Sequence, residues 1–271
     1  MEASIDGRGA RGTHEAVAVA AKCGLATRGV LYVLVGLLAL QVAFGDTEKE
    51  ADRTGALSEL ASHPYGRVLV WVIGIGLVAM ALWRISEAIF GAAGPHGRKL
   101  TKRGASAVRA VFYVVVAFSV LSFAAGKGGG RSSDEQSRDV TAQALGVPAG
   151  QWLVALAGIG IAIGGIVIFV SATRLTFREE MDIGHLPERV RQGVEALGVI
   201  GGIALGAVFT AAGGILVYAA VSYDPGKAKG LDDTLRSFAQ TPVGPWLLVV
   251  VATGLLLFGV FSWALAAWQR V

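Results

Sequence analysis

Six stretches of this chain are too long and too continuously apolar to belong to a water-soluble domain. They are about Gly24–Phe44, Gly66–Phe90, Ala105–Ala125, Gly150–Thr173, Glu195–Ser222 and Gly244–Trp268. A helix needs about 20 mostly apolar residues to cross the ~30 Å hydrocarbon core of a bilayer. The stretches are continuous, not alternating, which selects helices over barrel strands. Composition agrees: of 271 residues, 54% are hydrophobic, 16% are charged and 38 are glycine. A soluble domain carries about 25% charge, so a soluble globular enzyme is excluded. Disorder is excluded as well, because it needs low hydrophobicity and high charge.

Charge sets the orientation. The N-terminal segment, the second and fourth loops and the C-terminus, with Arg28, Arg84 and Arg109, hold 15 of the 24 Lys and Arg and 9 of the 20 acidic residues. The first, third and fifth loops hold 9 basic and 11 acidic residues. Lys and Arg gather in cytoplasmic loops, so both termini are expected in the cytoplasm and the chain in the plasma membrane. The same rule explains the net +4 without invoking nucleic acid. Met1–Glu15 lacks a signal-peptide pattern, so the first apolar stretch is expected to stay as an anchor.

The spans recur in pairs. Arg28-Gly-Val-Leu-Tyr32 matches Arg109-Ala-Val-Phe-Tyr113, and Leu205-Gly-Ala-Val-Phe209 is a third copy. Each second span opens with Pro-x-Gly: Pro64-Tyr-Gly66, Pro148-Ala-Gly150 and Pro242-Val-Gly244. Ten residues further on stand Gly76, Gly160 and Gly254. Two anchors in fixed order, three times over, mark a triplication. Short amphipathic pieces at Leu57–Ala61, Val140–Leu145 and Leu231–Phe238 precede the re-entry turns and suit helices lying on the outer interface. A repeat with an even number of spans gives every copy the same orientation. The expected fold is therefore an all-α membrane protein of six transmembrane helices: three parallel-orientation hairpins with pseudo-threefold symmetry about the membrane normal. The divisions are a tail at 1–21 and repeats at 22–94, 102–177 and 191–271.

These residues, with Gly55-Ala-Leu57 before Pro64 and Trp83-Arg84 late in the second span, resemble the bacterial family known as domain of unknown function 1206. The resemblance runs from about Lys22 to Val271. It implies a six-span membrane protein of three repeats and brings no activity, substrate or catalytic residue. Later copies depart from the first, since Leu205 replaces the arginine and Phe261-Ser262 replaces Trp-Arg.

The candidate ligand or headgroup layer is Arg28, Tyr32, Arg84, Glu87, Arg109 and Tyr113. Arg28 lies 16 residues before Phe44 and Arg84 18 residues after Gly66, so both sit at a similar depth, about 24–27 Å from the outer end. Arg109 joins them by repeat equivalence, Glu87 can pair with Arg84 at i,i+3, and each tyrosine sits one turn deeper than its arginine. Two readings stand. The layer accepts an anion or lipid headgroup, or each arginine snorkels to the inner headgroups. A pore along the pseudo-axis is disfavoured, because no ring of charges or carbonyls repeats three times.

Other motifs carry less. Gly198, Gly202 and Gly206, and Gly160–Gly164, have GxxxG spacing and are expected to pack helices within the bundle or against a second copy. The glycine-rich loop Gly126–Ser133 lacks the phosphate-loop order and reads as a linker. The lone Cys23 is expected to pack as a small apolar residue. His14, His63, His96 and His185 have no ligand spacing, so no metal or cofactor is expected. Ser and Thr within the spans, including Thr210 and Ser262, are expected to bond their own helix backbone. Trp152 and Trp246, equivalent positions after Pro-x-Gly, read as interfacial anchors. With no catalytic constellation, the chain is expected to be no enzyme but a structural, interacting or accessory membrane protein. Its expected partners are the lipid bilayer and other membrane proteins or itself. The alternative is a transporter, channel or binding protein for a small anion or lipid.

Overall fold

The computed structural model describes residues 3–44, 51–91, 99–126, 133–229, 232–235 and 244–269. Among them, six helices are long and apolar enough to cross a membrane: α1 (Ala3–Ala43), α3 (Gly66–Phe90), α4 (Leu100–Ala124), α6 (Gly150–Thr173), α7 (Glu188–Val221) and α8 (Gly244–Trp268). Two shorter helices, α2 (Arg53–Ser62) and α5 (Ser133–Leu145), fill the places expected for interfacial pieces. Of the third piece, 232–235 is helical, and Leu231 and 236–238 lie outside the described residues. Pro242, Val243, His96 and residues 127–132 of the glycine-rich loop lie outside them too.

Helix ends follow local chemistry. The Asp52 carboxylate accepts from Gly55 N at 2.7 Å and caps α2. Pro187 stands at the start of α7, where its fixed φ suits helix entry. Three spans start earlier than the apolar pattern implied: apolar helix begins by Val17 in α1, and α4 and α7 start at Leu100 and Glu188. The Ala16–Ala21 run is apolar and helix-favouring, so nothing stops α1 there.

The re-entry turns are alike in the first two repeats. Tyr65 and Ala149, the middle residues of Pro-x-Gly, are left-handed at φ 64 and 62. The glycine that follows seats directly on the preceding short helix. A Cβ at Gly66 would overlap the carbonyl oxygen of Leu60, and one at Gly150 that of Ala144. Close approach, more than freedom of φ, demands glycine here.

Helix α1 packs on α3 and α8, α3 on α4, α6 on α7, and α7 on α8. The spans thus form an open ring in the order α4, α3, α1, α8, α7, α6. Among the described residues α4 and α6, the two spans of the middle repeat, do not pack along each other. The seams between successive repeats are α3/α4, α6/α7 and α8/α1, and they use corresponding positions. In α6/α7 these are Gly158 and Gly165 against Gly206 and Gly213; a Cβ on Gly206 would lie 2.7 Å from Gly165 O. In α8/α1 they are Ala252 and Gly259 against Gly29 and Gly36; a Cβ on Gly259 would lie 2.8 Å from Gly29 O. In α3/α4 they are Gly74, Ala81, Ala110 and Ala117, all buried. Small residues seven apart keep one face of each helix open to backbone approach. Gly198, Gly202 and Gly206 do pack inside the bundle, on Phe177 and Phe261, on Ala172 and on Gly165.

Two expectations are corrected. A Cβ added at Gly160 or Gly164 would meet nothing within 4 Å, so this pair packs nothing within the bundle. Both lie on the face of α6 turned away from α7. Cys23 is exposed, because α1 turns Ala21, Gly24 and Leu25 inward.

One core fills the ring. Tyr32, Tyr113 and Phe209, the three repeated aromatics, all pack against the same buried cluster, which includes Val35, Met80, Val208, Leu255 and Phe258. Its two ends are covered. At the Pro-x-Gly end, Asp232 (4% exposed) accepts from Ala51 N at 2.7 Å, and Asp233 pairs with Arg138. The third repeat's loop thereby ties to both others. Arg53 reaches Ser119 Oγ at 3.4 Å; burial pulls its guanidinium below the ordinary value and Asp52 pushes back. At the opposite end, the α6–α7 linker turns in through a 3-10 turn (Thr176–Glu180). Met181 and Ile183 enter the core, and Asp182 N donates to Trp268 O at 2.7 Å. Phe177 meets Phe261 edge-on at 4.9 Å.

Candidate functional site

The arginine layer lies at the linker end of the ring, and repeat equivalence places its members at the seams. Arg28 of α1 faces Ser262 of α8, the residue standing where Arg84 stands in the first repeat. Arg28 Nε donates to Ser262 Oγ at 3.1 Å, and Ser262 Oγ donates on to Phe258 O at 2.9 Å. The guanidinium lies 5.1 Å from the Phe258 ring centre. Thr210 bonds its own backbone in the same way, to Gly206 O at 2.7 Å. Nη2 of Arg28 is buried with no hydrogen-bond acceptor.

Arg84 is buried in α3. Its Nη1 donates to Glu87 Oε2 at 2.6 Å, and its guanidinium stacks 3.9 Å from the Trp83 ring centre. Ser106 Oγ of α4 donates to the same Glu87 oxygen at 3.1 Å, which ties the pair across the seam. Nε of Arg84 is buried without an acceptor. The pairing expected at i,i+3 is thus formed, and it spans two helices. A buried pair held by a third group is costly to break from one side.

Arg109 differs from both. It is exposed and, among the described residues, its side chain makes no hydrogen bond or ion pair; it feels the charges of Arg84, Glu180 and Glu87 and the phenol of Tyr113. The fold brings Arg84, Glu87, Arg109 and Tyr113 together at the α3/α4 seam and Arg28 with Tyr32 at the α8/α1 seam. Tyr32 and Tyr113 lie close enough to interact. Tyr32 meets Phe258 edge-on at 5.0 Å, and Tyr113 meets Phe112 at 5.4 Å. At the third seam the corresponding positions are Leu205 and Ile168, both apolar, so the polar layer is lopsided.

Sequence reasoning missed the linker. Met181, Ile183 and Leu186 are apolar residues in a charged loop, and that spacing was the available signal. Arg103 was missed as well: it donates to Ala88 O at 2.8 Å and Ile89 O at 2.9 Å, closing the end of α3. Trp152 and Trp246 are exposed, as interfacial anchors would be. His63 Nδ1 lies 2.9 Å from Glu59 O, and His185 lies 3.8 Å from Asp182. Among the described residues no three His, Cys, Asp or Glu gather as metal ligands.

The family model of the Domain of Unknown Function (DUF1206) matches three segments, residues 23–91, 105–174 and 200–269. An uncharacterized protein of Bacillus subtilis (strain 168), YxxB, is 34% identical over 237 residues, covering 86% of this chain and 84% of its own length. No solved structure matches.

Proposed function

This chain belongs to the DUF1206 family, and we propose that it is a non-catalytic plasma-membrane protein that works by association, as a scaffold or accessory subunit. In this reading three hairpins of like orientation stand about a pseudo-threefold axis along the membrane normal, with both termini in the cytoplasm. The use of corresponding small residues at all three seams supports the symmetry. The charge asymmetry of the loops supports the orientation.

The observation that carries the reading is the apolar core shared by the three repeats. Tyr32, Tyr113 and Phe209 meet in one apolar core, and loops cover both ends. A conduction path needs polar lining or a ring of charge, and a catalyst needs converging acid, base or nucleophile. The spans instead devote their corresponding positions to packing. The test is purification in mild detergent after cross-linking in native membranes. A defined homo- or hetero-complex is expected. A lone monomer under every detergent and cross-linker would overturn the reading, as would single-channel conductance from the pure protein in planar bilayers.

A second reading, binding of a small anion or lipid at the arginine layer, is favoured by one observation: Nη2 of Arg28 and Nε of Arg84 are buried without acceptors.

A further inference from the structure

The two spans of the middle repeat stand apart, and the arginine layer is exposed only beside them. Val115 of α4 is 62% exposed and Ile163 of α6 is 55% exposed. Their counterparts in the other hairpins, Leu34 with Ala79 and Ala211 with Leu257, are half-buried. Only 28% of the most apolar stretch of α4 and 17% of that of α6 is buried inside the protein, against half in α3 and α8. What separates α4 from α6 is therefore an apolar cleft open to the side of the ring.

One end of that cleft is cationic. Arg109 stands on α4 and feels Glu180, which follows α6 on the other side. Lys99 and Lys102 lie at the start of α4 and Arg174 at the end of α6. Among the described residues none of these four side chains makes a hydrogen bond or ion pair. The neighbouring carboxylates do not neutralise this end: Glu87 is already paired with Arg84, leaving Glu179 and Glu180, both exposed. The equivalent Arg28 has no such opening, being folded onto Ser262 and Phe258.

A long apolar cleft that ends in unpaired cations matches one molecule class in shape and charge. We propose that the cleft between α4 and α6 binds an anionic phospholipid. Its phosphate pairs with Arg109, and an acyl chain lies between Val115 and Ile163. Arginine suits the phosphate by presenting several donors in a planar fork, and cationic groups near the surface favour anionic headgroups. This site deepens the second reading above, a lipid at the arginine layer, and is independent of the association reading. A monomer that retains lipid refutes association alone, and a complex without lipid refutes this site alone.

The experiment is native mass spectrometry of delipidated protein in mild detergent, titrated with phosphatidylglycerol or phosphatidylcholine. One phosphatidylglycerol is expected to be retained preferentially. Arg109→Gln, at an exposed position that leaves folding intact, is expected to weaken it about tenfold, the loss of one charge-assisted bond. Val115→Trp with Ile163→Trp fills the cleft and is expected to weaken binding with every cation in place. Inorganic phosphate at millimolar concentration is expected not to displace the lipid. Equal retention of both lipids, or retention unchanged by both variants, overturns the proposal. Displacement by phosphate reassigns the cations to a free anion and overturns it as well. Loss with Arg109→Gln but not with the tryptophan pair overturns the placement of the chain. Recovery of a second polypeptide in the cleft in place of lipid overturns the choice of occupant.

Discussion

Helix α6 has two flanks, and they follow opposite rules. Against α7 it brings Gly158 and Gly165 onto Gly206 and Gly213, so that backbones touch and any added methyl collides. Toward α4 it presents Ile163 and open space, and the glycines on its free side, Gly160 and Gly164, meet nothing. Spacing alone does not distinguish the two sets, since both are small residues at helical intervals. What separates them is whether the facing helix carries small residues in matching register. In lipid there is no hydrophobic drive between helices, so complementarity of this kind decides which pairs close.

The contrast can be broken by substitution, and the largest effect is expected at the closed flank. Gly206→Leu places a branched side chain against Gly165 O and Phe169. A loss of more than about 3 kcal/mol is expected, at the upper end for overpacking. It would be read as collapse of the monodisperse detergent peak or of steric-trapping stability. Next comes Glu87→Ala, which strands the buried Arg84 and removes the acceptor of Ser106. A loss of about 3 kcal/mol is expected, since one half of a buried pair is left uncompensated. The double variant with Arg84→Met should recover much of it, and losses that simply add in the double variant would show that the two side chains are uncoupled. Gly150→Ala drives a methyl into the Ala144 carbonyl at the re-entry turn. About 2 kcal/mol is expected in thermal or chemical denaturation, within the range for backbone-constrained sites. The smallest effect belongs to the open flank. Gly164→Leu should change stability by less than about 0.5 kcal/mol. A loss equal to that of Gly206→Leu would mean that α4 and α6 are packed after all.

The spans and the first two re-entry turns were legible in the sequence because each rests on a local rule. Apolar length reports crossing, and the crowded glycine of Pro-x-Gly reports the seat on the short helix. The Arg84–Glu87 pair was legible for the same reason, since i,i+3 spacing is local. The seams were not. Gly29 and Gly36 are seven apart, and the GxxxG spacing drew attention instead to Gly160–Gly164, which faces outward. The side of a helix that meets a neighbour depends on the ring order, and that order is not written in any one helix. The different surroundings of Arg28 and Arg109 follow from the same cause. Both copies carry the arginine, but Ser262 and Phe258 face one of them and the open cleft faces the other. Met181 and Ile183 were hidden because burial of a loop is a tertiary fact.

Distances across the three hairpins test the account most directly. With Cys23→Ser as background, spin labels are placed at equivalent positions, Leu34 with Ala79, Val115 with Ile163, and Ala211 with Leu257, and distances are measured by double electron–electron resonance in lipid nanodiscs. The middle pair is expected to be clearly the longest while the outer two agree. Three equal distances would contradict it, because the ring would then be closed and the cleft between α4 and α6 would not exist.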